Sequence, residues 1–228
     1  MGKWANQAVS QTKSAFQNSG NKTVARGAAN YMKHIAPFLG ISSPKRKQLE
    51  KKAWDNLDTP SETELLLAAK ALWKLPEREY QYAGADLIGE FISVCTPKTL
   101  IAIKSLITSK SWWDSVDNLG SKVISPLTLK YPQTRKTIKQ WSNSKNIWLI
   151  RCAIQHQRGH KKNTDVDFVI SICQKHAKNS EFFVAKAVGW ALRDLCRIDA
   201  WAVKIFLQDN PKLPTVSLRE AKRGLNRL

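Results

Sequence analysis

The chain has 228 residues, 43% of them hydrophobic, and sets 37 Lys and Arg against 18 Asp and Glu for a formal charge of +19. That length and apolar fraction suit a globular chain and exclude a disordered one, pointing to a single domain over 1–228 or an array of repeats. No apolar run approaches the roughly 20 residues needed to cross a bilayer, and the start Met1-Gly2-Lys3-Trp4-Ala5-Asn6-Gln7 has no apolar signal core. The expectation is therefore a soluble cytoplasmic protein, nucleoid-associated if bacterial, with no membrane partner.

No stretch alternates apolar and polar residues as a half-buried strand does, so the expected fold is all-α. Gly20 and Gly40 read as stops, and Pro44 after Ser42-Ser43 suits a first helical turn. Ser61-Glu62-Thr63-Glu64 is a capping-box pattern ahead of Leu65-Leu66-Leu67. Pro76 opens a helix through Tyr80, Ala83, Leu87 and Phe91, and Thr96-Pro97 opens the next through Leu100, Ile103 and Ile107. Ser111 is placed to cap the following helix, Gly159 marks a turn, and Ser217-Leu218-Arg219-Glu220 is a second capping-box pattern. The result is about a dozen helices of roughly 10–18 residues. Two-helix units recur with a period of roughly 35–45 residues, the size of HEAT or armadillo units. Such units stack into a curved superhelical solenoid with a concave face. A plain helical bundle is the competing architecture. No Gly/Ser-rich linker divides the chain.

The charge is unevenly distributed. From Asn118 to Thr164 there is no acid, while that stretch holds ten basic residues: Lys122, Lys130, Arg135, Lys136, Lys139, Lys145, Arg151, Arg158, Lys161 and Lys162. Solubility requires no particular sign, so this bias points to an anionic partner that exchanges its counterions for lysines and arginines. Nine tryptophans spread through helical patterns, without an amphipathic anchor, favour nucleic acid over a membrane surface. The cysteines, Cys95, Cys152, Cys173 and Cys196, stand in apolar segments and form no C-x-x-C knuckle. Buried thiols and no metal are expected.

Three segments stand out chemically. In Ser109-Lys110-Ser111-Trp112-Trp113-Asp114-Ser115-Val116-Asp117, Trp113 and Asp117 are four apart and share a helix face. An aromatic face beside a carboxylate suits a developing cation; a core tryptophan and a surface acid would share that spacing. In Phe182 to Arg193, Trp190 and Arg193 lie three apart, and Gly189 leaves the helix bare for a close approach. In Asn146 to Arg151, Trp148 and Leu149 suit a buried face and Arg151 is either a phosphate ligand or an ordinary solvated arginine. Walker, G-x-G-x-x-G, H-E-x-x-H and G-x-S-x-G patterns are missing. The histidines His34, His156, His160 and His176 are scattered and read as satisfied or exposed.

Taken together, these segments resemble the AlkD family of DNA glycosylases, built from HEAT-like repeats. Tyr31-Met32-Lys33 with Phe38-Leu39-Gly40-Ile41 and Pro44, then Leu75 to Gln81, Ser111 to Asp117, Asn146 to Arg151, Glu181 to Arg193 and Arg219-Glu220-Ala221 follow the family's order over most of the chain. The resemblance implies a monomeric enzyme with a basic concave cleft for double-stranded DNA, excising cationic N3- and N7-alkylpurines without metal or cofactor. It implies Asp117, Trp113 and Trp190 as the catalytic group around the lesion's sugar. Arg151, Tyr31, Arg46, Arg193, Lys161 and Lys162 are expected at the DNA. Gln155-His156 and Arg158-Gly159 depart from the family pattern. A non-catalytic module for distorted or branched DNA is the alternative, and a helical-repeat protein for RNA or protein a third reading.

Overall fold

The computed structural model describes residues 2–227, and among these the regular structure is entirely helical. The chain divides after Leu106 into two compact units. The first carries α1 (Lys3–Phe16), α2 (Lys22–Tyr31), α3 (Ser43–Trp54), α4 (Glu62–Lys74), α5 (Arg78–Glu90) and α6 (Pro97–Ile107), whose end coincides with the division. The second carries α7 (Trp113–Leu119), α8 (Ser125–Lys130), α9 (Arg135–Ser142), α10 (Ile147–Gln155), α11 (Val166–Lys175), α12 (Phe182–Leu195), α13 (Ala200–Asp209) and α14 (Thr215–Leu225). A π turn, Gly120–Ile124, joins α7 to α8. The helices are shorter than the sequence suggests, at 6 to 14 residues.

In the first unit α1 packs on α3 and α4, and α4 on α5. Leu65, Leu72, Leu87 and Ile88 are fully buried, each contributing about 1.5–3 kcal/mol of transfer free energy. Ser61 caps α4 as expected, accepting from Glu64 N at 3.3 Å, but Glu64 does not close the box; its Oε1 accepts from Trp4 N at 3.2 Å. Glu79 is buried and accepts from Leu39, Gly40 and Ile41 N, tying down the loop after α2.

In the second unit α10 packs on α9 and α12, and α12 on α14. The close approach read at Gly189 is made by α14: a Cβ there would lie 2.8 Å from Ser217 Cα and 3.0 Å from Ser217 O. Ser217 is correspondingly not a cap. It lies inside α14, and its Oγ donates to Ala185 O on α12 at 2.6 Å. Ser111 is not a cap either, since α7 begins after Trp112 and Ser111 Oγ donates back to Ile107 O. In both cases the hydroxyl donates to a carbonyl outside the turn it was expected to close.

His156, His160 and His176 are buried and bonded to carbonyls, of Ala153, Ser125 and Ser142 respectively. Burial lowers all three pKa values, that of His156 to about 4. His156 packs edge-on against Phe168, so the Gln155-His156 departure is absorbed into the core. All four cysteines are buried thiols, and burial pushes Cys173 up to about 12. No helix is long and apolar enough to cross a membrane, and no cluster of His, Cys, Asp or Glu among the described residues could hold a metal ion.

Candidate active site

α7 is a seven-residue helix with Trp113 in its first turn and Asp117 one turn later, so their side chains leave the same face. Beyond Asp117 the helix widens into the π turn ahead of Pro126. Pro126 has no N–H to give to the carbonyl four residues back, and its ring crowds that carbonyl, so the wider turn relieves the conflict.

Asp117 is gripped from α10. Asn146 caps that helix by accepting from Trp148 and Leu149 N, fixing the register that aims Arg151 at α7. Arg151 Nε donates to Asp117 Oδ1 and Nη2 to Asp117 Oδ2, both at 2.8 Å. Its Nη1 donates to Phe183 O on α12 at 2.7 Å. The arginine side chain is 2% exposed and the aspartate 17%. A carboxylate has about four acceptor positions. The fork takes one on each oxygen, leaving acceptor capacity toward solvent for a water or a substrate. Trp112, Trp148 and Phe183 pack on one another beside the pair, with ring centroids 4.9–5.9 Å apart.

Arg151 also reaches Trp190, its guanidinium carbon lying 5.1 Å from the ring centroid. Three further cations surround that ring: Arg158 at 5.3 Å, and Lys186 and Arg193 at 5.7 Å. Lys186, Trp190 and Arg193 fall at i, i+4 and i+7 on α12, one stripe of the helix. Glu220 of α14 secures the two outer cations, accepting from Lys186 Nζ and Arg193 Nη1 at 2.6 Å each. Burial would raise the Glu220 pKa, but the Lys186 hydrogen bond and the charges of Lys186, Arg193 and Arg223 outweigh it and hold the carboxyl below its usual value.

Asp117 and Arg151 border a shallow recess with Gln155 and Arg158. Those last two also line an adjoining cavity of about 840 Å³ that includes Trp190, Lys161 and Lys162. The second unit thus brings together Asp117, Arg151 and Trp190, with Trp113 on the same helix face as Asp117. Arg193 stands half-buried against Glu220, while Lys161 and Lys162 are exposed at the cavity rim.

Two expectations change. Arg151 is not a solvated phosphate ligand: it is interior, its fork committed to Asp117 and Phe183. Arg46, also expected at the DNA, lies inside the first unit. It is 6% exposed and paired with Glu50 and Asp86. The acid four residues after Arg46 is a spacing that signals such a pair. Tyr31, at the end of α2 in the first unit, is 73% exposed. Sequence reasoning missed Lys186 and Glu220. The helical spacing of Lys186 from Trp190 was available; Glu220 stood in the sequence as part of a capping-box pattern, and its partners Lys186 and Arg193 lie on another helix.

The chain is similar to known proteins. A family model described as DNA alkylation repair enzyme matches residues 12–225. A solved structure described as a predicted DNA alkylation repair enzyme from Enterococcus faecalis is similar at 26% identity, over 92% of this chain and 98% of that one, with a TM-score of 0.85. No curated protein matches. The chain belongs to the family of DNA alkylation repair enzymes.

Proposed function

We propose that the protein is a monofunctional DNA glycosylase, hydrolysing the N-glycosidic bond of cationic N3- and N7-alkylated purines such as 3-methyladenine and 7-methylguanine in double-stranded DNA. The observation that carries this reading is Asp117, a carboxylate pinned on both oxygens by buried Arg151 yet still open to solvent. An alkylpurine that already bears positive charge leaves as a neutral base. It needs no general acid, so a pair of carboxylates of the kind used on ordinary glycosides is dispensable. What remains is to stabilise positive charge on the deoxyribose and to orient a water. Asp117 does the first by electrostatics and the second through its remaining acceptor positions.

Arg151 is a positioning residue in this scheme. It denies the carboxylate other rotamers, and its bidentate grip sets the plane the sugar meets. Trp113 supplies an aromatic face beside Asp117. Trp190, already ringed by four protein cations, contributes mainly as an apolar wall that excludes water. The surrounding positive charge attracts the phosphates on either side. Lys161, Lys162, Arg193 and the wider acid-free stretch bind the DNA backbone, and Tyr31 contacts the duplex from the first unit.

A panel of duplexes carrying single lesions tests the reading. Release of 7-methylguanine and 3-methyladenine with no release of uracil, hypoxanthine or 8-oxoguanine is expected. Release of uracil without 7-methylguanine would replace this site with one that reads bases by their edges.

A further inference from the structure

We propose that the cavity of about 840 Å³ beside Trp190 is a nucleotide pocket, seating one base on its apolar floor and the attached phosphate on its cationic rim. It rests on the DNA-directed reading only for where that nucleotide comes from. The volume falls in the range of roughly 300–1,000 Å³ typical of small-ligand sites. The floor is Ile154, Val169, Leu195 and Ile198, with Trp190 at its side. The rim is Arg158, Lys161, Lys162 and Arg197, all exposed, against the single acid Asp194.

Gln155, Gln157 and Thr164 are the neutral polar side chains of the lining, and the last two are already engaged within the protein. Gln157 Oε1 accepts from Asp165 N at 2.7 Å and its Nε2 donates to His156 Nε2 at 3.1 Å. Thr164 Oγ1 donates to Lys161 O at 2.7 Å. Asp194 lies 3.9 Å from both Arg158 and Arg193. A ligand is therefore recognised mainly by flat apolar contact and by positive charge, with Gln155 the one neutral side chain whose amide nitrogen makes no hydrogen bond among the described residues. A sugar, which needs many hydrogen bonds, does not suit such a lining, and a neutral apolar ligand leaves the cations unused. A base with its phosphate uses both.

The rim is also built to hold its shape. Gly159 has φ +91° and Lys161 φ +53°. The left-handed region is uncommon for a lysine, and strain of this kind concentrates at ligand clamps. Three hydrogen bonds pin the turn and the end of α10 to α8. Ser125 Oγ donates to Arg158 O at 2.7 Å, Thr128 Oγ1 to His156 O at 2.9 Å, and His160 Nε2 to Ser125 O at 2.9 Å.

The test is calorimetric titration of the full chain with deoxyguanosine monophosphate, deoxyguanosine and inorganic phosphate at physiological salt. The monophosphate is expected to bind at least tenfold tighter than either fragment, and the exposed-rim double variant K162E/R197E to lose at least tenfold of that affinity. Two duplexes identify the source. If the pocket takes an unpaired residue of a strand, a duplex with one extrahelical nucleotide binds at least tenfold tighter than its fully paired counterpart, and the rim variant loses that preference. If it takes free nucleotides, the two duplexes bind alike while the monophosphate still binds as expected. Equal affinity for the monophosphate and inorganic phosphate, or an unchanged monophosphate affinity in the rim variant, overturns the proposal. None of these readouts measures base excision, so the pocket and the glycosylase reading fail separately.

Discussion

Asp117 and Arg151 meet through two hydrogen bonds of 2.8 Å, with the arginine almost wholly out of water, so a change at either end is both structural and chemical. In Asp117→Asn a buried guanidinium loses its counter-charge. Breaking a buried pair costs about 3–5 kcal/mol, and the partial exposure of Asp117 puts the expected loss near the lower figure. Excision is expected to fall at least ~100-fold, the effect of removing one preorganised electrostatic partner. Arg151→Lys keeps the charge but not the fork, and is expected to slow excision with a smaller stability loss. Thermal melts with single-turnover kinetics separate the two effects; full excision by a folded Asp117→Asn protein would remove the carboxylate from the mechanism. His156 gives a pH signature. Its folded pKa of about 4 lies below the unfolded value of 6.5, so the unfolded chain binds the extra proton first. The contribution of the neutral, buried ring is full above about pH 6.5 and is lost as pH falls toward 4, by up to about 3 kcal/mol. In His156→Phe this term is absent. The stability difference between parent and variant should therefore shift in the variant's favour across that window, and a difference that stays constant in urea melts would contradict the assignment. At this level the spacing of Trp113 and Asp117 was legible in the chain. The burial of Arg151 and Arg46 was not, because an arginine's environment is set by the helices that pack over it.

The packing of α12 against α14 fixes both the cations beside Trp190 and the depth of the second unit's core. Gly189→Ala would gain up to about 1 kcal/mol of helix propensity. Its Cβ, however, would lie 2.8–3.0 Å from Ser217 Cα and O, and backbone cannot swing aside. Overpacking of this kind costs about 1–3 kcal/mol, so a net loss of stability is expected, with Glu220 displaced from Lys186 and Arg193. A variant as stable as the parent would mean that α14 moves freely. The same pair of helices explains a misreading. Ser61-x-x-Glu64 and Ser217-x-x-Glu220 are alike as sequence, yet Ser61 caps a helix and Ser217 reaches across to another. The pattern is local, whereas the choice between its uses depends on what stands opposite. Helix starts marked by proline, at α3 and α6, were readable because the constraint is intrinsic to the residue. The break of α7 into a π turn and α8 was not, because a single long helix satisfies the same periodicity.

The charge of +19 belongs to the whole chain, and its consequence is a steep salt dependence. With about 0.9 of log–log slope per neutralised phosphate, four or more contacts predict a slope of about −3.6 or steeper for duplex binding. An affinity insensitive to salt would exclude backbone contacts by the acid-free stretch. The all-helical class and the family were legible from the order of motifs along the chain. The division after Leu106 was not, since it coincides with the end of a helix rather than a flexible linker. In the proposed chemistry a carboxylate held by Arg151 assists departure of a cationic base. The most direct measurement is single-turnover release of 7-methylguanine from a duplex carrying one such lesion, with abasic sites quantified for the parent and for Asp117→Asn at a temperature where both are folded. The expected result is one abasic site per lesion for the parent and at least ~100-fold slower release for the variant. Tight binding of the lesion duplex by the parent with no abasic sites formed would contradict the account and leave a DNA-binding protein without this catalysis.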